Sequence, residues 1–105
     1  MDKDQVFTDE AIRDQVDHTS GTAYMGEFNA ETILVYNGLD QDVSFQLQGS
    51  IDDTTWIDVH DTFSIVKNTN DYAVVTHYFP SYRIVASCAV TPTTGNLNVW
   101  VVKSK

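Results

Sequence analysis

Basic side chains are scarce: six Lys and Arg stand against 15 Asp and Glu, a formal net charge of -9. Nucleic acid needs clustered Lys and Arg, so it is excluded as a partner, and an anionic membrane surface goes with it. A single cysteine, Cys88, excludes an intrachain disulfide and disfavours a secreted, disulfide-stapled design. Its flanks, Ile84-Val85-Ala86 and Ala89-Val90, predict a buried small residue rather than a reactive thiol. No apolar run reaches transmembrane length. The opening MDKDQ carries no apolar signal-peptide core. Only five glycines occur, and none has the spacing of a phosphate-cradling loop. A Gly-x-Ser-x-Gly nucleophile elbow is also missing.

What is abundant is β-branched. Val, Ile and Thr total 31 residues, whereas Leu and Ala total 10, which favours half-buried strands over helices. A chain of 105 residues holds one core, and five Tyr, five Phe and two Trp supply its large apolar side chains. Twelve of the 15 acids are Asp. Such an excess has two ordinary readings: solubility through self-repulsion, or a halophilic surface whose charge is screened by high salt.

The chain divides at about residue 21. Residues 1–21 are polar and acidic and read as an N-terminal arm. Thr8 or Asp9 can cap a short helix over residues 10–17, with Ile12 and Val16 on one face and Asp9 paired with Arg13. Such an arm either orders on a neighbouring subunit or stays a tail. Residues 22–105 read as a β-sandwich domain. Strands are expected over 22–28, 32–36, a central one, and 43–48, where Val43, Phe45 and Leu47 alternate with Ser44, Gln46 and Gln48. Asn37-Gly38 is a turn dipeptide because both residues tolerate positive φ. Gly49 reads as a bulge or a strand end. Further strands are expected from Trp56 to Val59, from Phe63 to Val66, from Tyr72 to Tyr78 and, the longest, from Tyr82 to Val90. In the last strand Leu97, Val99 and Val101 point inward. About seven or eight strands at this spacing predict an all-β, antiparallel β-sandwich, jelly-roll-like.

Residues that could carry chemistry have simpler explanations. Asp52, Asp53, Asp58 and Asp61, with Asp40 and Asp42 nearby, supply the oxygens a hard cation takes. EF-hand spacing is absent and Asp is a favoured turn residue, so these are expected as solvated turns. Asp58 and His60 fall on one face of a presumed strand, as a metal-ligand or acid–base pair would, but a polar face accounts for them too; His18 and His77 lie apart from them. We expect no enzyme, and assign no catalytic, cofactor-binding or metal-ligating residue. Trp56, Trp100, Tyr24, Tyr78 and Tyr82 are candidates for a carbohydrate platform. Trp100 shares its side of the strand with Asn98, so it belongs either to an exposed contact surface or, with Val102, to a second packed face.

Two segments carry a resemblance. The run Leu34-Val35-Tyr36-Asn37-Gly38-Leu39-Asp40-Gln41-Asp42-Val43, then Gln46-Leu47-Gln48-Gly49-Ser50 and Trp56, resembles small β-sandwich virion proteins of tailed bacterial and archaeal viruses. Tyr82-Arg83-Ile84-Val85 and the stretch from Thr91 to Val99 fit the same group. The resemblance implies a capsid-surface subunit of the decoration or turret type, located in the virion. It implies a homo-oligomer whose other partner is a major capsid or other virion protein. It brings no catalytic residues. A second resemblance, of Ser50-Ile51-Asp52-Asp53-Thr54-Thr55-Trp56 to discoidin-type galactose-binding sandwiches, implies a glycan-binding module, as in a tail or receptor-binding component. Here Asp53 stands where that pattern has glycine.

Overall fold

A computed structural model describes residues 2–75 and 79–104. These form ten strands and no helix: β1 Asp2–Glu10, β2 His18–Thr19, β3 Ala23–Tyr24, β4 Ala30–Asn37, β5 Val43–Ser50, β6 Ile57–Asp58, β7 Phe63–Ile65, β8 Thr69–Val75, β9 Ser81–Ser87 and β10 Leu97–Ser104. One sheet has four strands in the order β1-β10-β4-β8. The other has six, in the order β2-β9-β5-β6, with β3 also on β9 and β7 also on β5. Every pairing is antiparallel. The chain is an all-β antiparallel sandwich, as expected. Its strand count exceeds the expected seven or eight because β2, β3, β6 and β7 are only two or three residues long.

Alternation builds the core. Val43, Phe45 and Leu47 on β5 are fully buried, as are Ile84 and Ala86 on β9, Ile33 and Val35 on β4, and Val99 and Val101 on β10. Each strand thus sends every second side chain between the sheets. Fully burying a side chain of this size contributes about 1.5–3 kcal/mol before conformational entropy is counted.

The N-terminal segment departs from expectation. No helix forms over residues 10–17, and residues 2–10 are instead the longest strand, an edge strand on β10. Asp9 and Arg13 do not pair: Asp9 and Asn98 exchange hydrogen bonds, while Arg13 donates to the carbonyls of Ile12 and Gly95. Register shifts at Gln5/Phe7 and Phe7/Glu10 hide this strand from a search for alternation. They turn both Val6 and Phe7 inward and place Asp9 at φ 46°, as β-bulges do. Other boundaries move less. The first expected strand shrinks to β3, β8 begins three residues before Tyr72, and β9 ends at Ser87. Thr76, His77 and Tyr78 lie outside the described residues.

The Asn37-Gly38 connection works differently from a two-residue hairpin turn. Neither residue has positive φ. Asn37 is the last residue of β4 and is buried. Its amide donates to the carbonyls of Ile65 at 3.1 Å and Gln41 at 3.2 Å, and its Oδ1 accepts from Leu39 N–H. The chain then crosses to the other sheet, held against two further crossings. Gly38 N–H donates to Asn96 O, Asp40 N–H to Thr94 O, and Asn68 N–H to Leu39 O. The Asp40 carboxylate accepts from both the amide and the hydroxyl of Thr93, and Asp42 accepts from Lys67 N–H. Glycines at 38 and 95 permit this closeness. A Cβ on Gly38 would stand 2.7 Å from Asn96 O, and one on Gly95, which has φ +90°, would overlap Gly38 O.

Gly95→Ala combines a backbone overlap with an unfavourable φ. It is expected to lower unfolding free energy by about 3 kcal/mol or more. Chemical denaturation of the variant beside Gly21→Ala, whose nearest contact is an ordinary 3.7 Å, checks this.

Candidate functional site

The two sheets turn chemically different outer faces to the surroundings. On the six-stranded sheet, the outward residues of β5 and β9 floor an open trough of about 420 Å³. Gln46, Gln48, Arg83 and Val85 lie on the floor, Asp17 and Thr19 stand on the β2 side, and Asp58 and Thr62 stand opposite. Register explains the grouping, because Gln48 is opposite both Arg83 and Asp58, and Gln46 is opposite Val85. Arg83 Nε donates to Gln48 Oε1 at 2.8 Å, and Gln48 Nε2 donates to Asp58 Oδ1 at 3.1 Å. The guanidinium lies 4.4 Å from the centroid of the Trp56 ring, a cation–π contact. Gln46 Nε2 donates to the carbonyls of Leu47 and His60.

The outer face of the four-stranded sheet is mostly apolar over β10, β4 and β8, while on β1 Lys3 continues the Val102 row. Rows across β10, β4 and β8 place Trp100 opposite Leu34 and Leu34 opposite Tyr72; Val102, Thr32 and Val74 make the next row, and Asn98, Tyr36 and Asn70 the one beyond. None of these side chains is charged. Tyr36 packs edge-on to Trp100 at 4.8 Å, whereas Tyr72 and Val74 are 64% and 58% exposed. The two edges of this sheet differ. β1 carries Asp2, Lys3, Asp4, Asp9 and Glu10 and is bulged, which deters further pairing. β8 carries one charge, Asp71.

The residues singled out in the sequence have these places. Asp52 caps its own turn, accepting from the amides of Thr54 and Thr55 and from Ser50 Oγ. The Thr55 amide leads in holding its carboxyl below the usual range. Asp53 sits at φ 61° in the same turn. Thr93 does the same for Asp40, chiefly through its hydroxyl. Asp58 turns to Gln48, while His60 Nδ1 meets the Asp61 carbonyl at 2.7 Å and its ring packs edge-on to Phe63, so Asp58 and His60 do not form a pair. His18 meets Asp14 at 2.7 Å, which lowers the Asp14 carboxyl. Burial, with Asp14 second, pushes the Cys88 thiol up. Of the expected platform, Tyr82 is fully buried, Tyr24 is exposed and Trp56 lies under Arg83; Tyr78 lies outside the described residues. Trp100 is half-buried on the outer face, against Tyr36. Sequence reasoning passed over Tyr36, Tyr72 and Val74, although Tyr36 shares its parity on β4 with Leu34. It also missed Arg83 and Gln46, whose grouping depends on the order of strands.

Glu31 is a separate oddity. It is 3% exposed, and neither carboxyl oxygen has a hydrogen-bond partner among the described residues. Its neighbour across the ladder, Lys103, gives its ammonium to Asp4 at 3.0 Å and to the Tyr24 carbonyl at 2.8 Å. Burial therefore raises the Glu31 pKa to about 8, and the group is mostly protonated in the fold at neutral pH.

The fold and these faces define a small two-sheet antiparallel sandwich. No protein-family model and no curated protein matches the chain. Among solved structures, the crystal structure of PirA is similar. It superposes with a TM-score of 0.51 over 98% of this chain and 92% of PirA, at 10% sequence identity. That likeness shows the sandwich fold.

A carboxyl raised from 4.5 to about 8 on folding stabilises the fold fully below the lower value, and that stability is lost as pH rises towards the upper one. Wild type should therefore lose roughly 4 kcal/mol relative to Glu31→Gln between pH 4.5 and pH 8. Urea melts of both proteins across that range, compared as a difference profile, check the sign and size.

Proposed function

We propose that this chain is a non-catalytic assembly subunit that associates with copies of itself through the outer face and β8 edge of the four-stranded sheet. The observation that supports the reading is the uncharged row Trp100-Leu34-Tyr72 with Val74 beside it. Two copies carrying -9 each repel one another over most of their surfaces. Around β8 they meet with only Asp71 in the way, and the unpaired strand edge there is a template for a second antiparallel strand. Aromatic side chains at the centre of such a patch are the usual anchors of a protein interface. The virion resemblance of residues 34–56 and 82–99 adds the setting: a decoration or turret subunit on a capsid surface, with a capsid protein as its second partner.

Sedimentation velocity over a range of concentrations tests the assembly. Wild type should self-associate, and more strongly as salt screens the acidic surfaces. Tyr72→Asp should weaken the association at least about tenfold, the order expected for a charge placed in an apolar contact. Ser44→Asp, on the opposite sheet, should leave it unchanged. A wild-type protein that stays monomeric throughout, or a Tyr72→Asp variant that assembles as well as wild type, would refute the reading.

A further inference from the structure

The trough on the six-stranded sheet is left unused by that assembly, and we infer that it is a binding site for a neutral carbohydrate. Its hydrogen-bonding groups are already held in place. The Gln46 amide nitrogen donates to two backbone carbonyls, Leu47 O at 3.0 Å and His60 O at 2.8 Å, which uses both of its hydrogens. Gln46 Oε1 is thereby fixed as an acceptor.

Arg83 is fixed twice, by its Nε bond to Gln48 Oε1 and by the Trp56 ring beneath it. Its two terminal nitrogens make no hydrogen bond to any described residue and remain donors. Gln48 in turn holds Asp58 by Oδ1, leaving Asp58 Oδ2 as a second acceptor. Donors and acceptors thus stand side by side on a rigid sheet. A sugar hydroxyl both donates and accepts, so a pair of adjacent hydroxyls matches this alternation. Groups held before the ligand arrives lose little freedom on binding.

Charge and lining select among ligand classes. Asp17 and Asp58 outnumber the one guanidinium, which opposes phosphate, sulfate or a sialylated sugar. Arg83 at the centre opposes a basic peptide. Val85 and Phe45 are the apolar members of a lining otherwise made of hydroxyls, amides and charges, which does not suit a lipid or a hydrophobic peptide. The volume, about 420 Å³, falls at the low end of small-ligand sites, about 300–1,000 Å³.

The test is heteronuclear NMR on the full chain, following the side-chain N–H signals of Gln46, Gln48 and Arg83. The probes are methyl galactoside, methyl glucoside, methyl mannoside and N-acetylglucosamine, with sialyllactose and hexalysine as charged comparators. At least one neutral sugar should shift these signals saturably at millimolar concentration. Asp58→Asn should weaken that binding about tenfold or more, the loss typical of one charge-assisted hydrogen bond. Ser87→Trp, which fills the trough, should abolish it while the remaining spectrum stays folded. Tyr72→Asp should bind sugar as wild type does, so a failed assembly reading would leave this result standing. Saturable shifts with sialyllactose or hexalysine alone would overturn the inference. So would no saturable shift with any neutral sugar, or sugar binding that survives Ser87→Trp.

Discussion

The buried Asn37 amide is the constraint on which the sandwich depends. It stands where β4 leaves one sheet for the other, and it ties that crossing to the end of β7 through Ile65 O. The segment that follows fastens the remaining connections at this end of the molecule: Leu39 holds Asn68, Gly38 holds Asn96, and Asp40 holds Thr93 and Thr94. Backbone polar groups at a sheet crossing have no ladder to join, and leaving them buried and unpaired costs more than any single such bond contributes. The turn satisfies them from a few residues and so fixes how the two sheets stack.

That stacking decides what each outer face can do. Because alternation sends Val99 and Val101 inward, Trp100 and Val102 must face out. The same rule on the other sheet buries Phe45 and Leu47 and presents Gln46 and Gln48. One face therefore carries an aromatic, uncharged patch over β10, β4 and β8, and the other is a polar trough with its side chains locked. The two readings, assembly and carbohydrate binding, occupy opposite sides of one rigid body and do not compete for surface.

Much of this was legible in the sequence. The strict alternation of residues 43–48 and 97–101 revealed two interior strands, β5 and β10, and their buried sides, and Asp at turns gave the connections. β1 was not legible, because its bulges place Val6 and Phe7 together and break the period. Gly38 was noticed for the wrong reason: its lack of a side chain serves the approach of Asn96, with no positive φ involved. The trough was invisible for a different cause. Arg83 and Gln48 are 35 residues apart, and only the β5–β9 pairing brings them together. Glu31 gave no local sign either, since its isolation follows from Lys103 turning to Asp4.

The claim at the centre of this account is that the four-stranded sheet meets a second copy while the six-stranded sheet stays open. Amide hydrogen exchange at dilute and concentrated protein tests it most directly, since new strand pairing protects amides. Concentrating the protein should slow exchange across β8, from Thr69 to Val75, and leave β2 and β9 as they were. Exchange in β8 that is independent of concentration, or new protection on β2 and β9 instead, would contradict it.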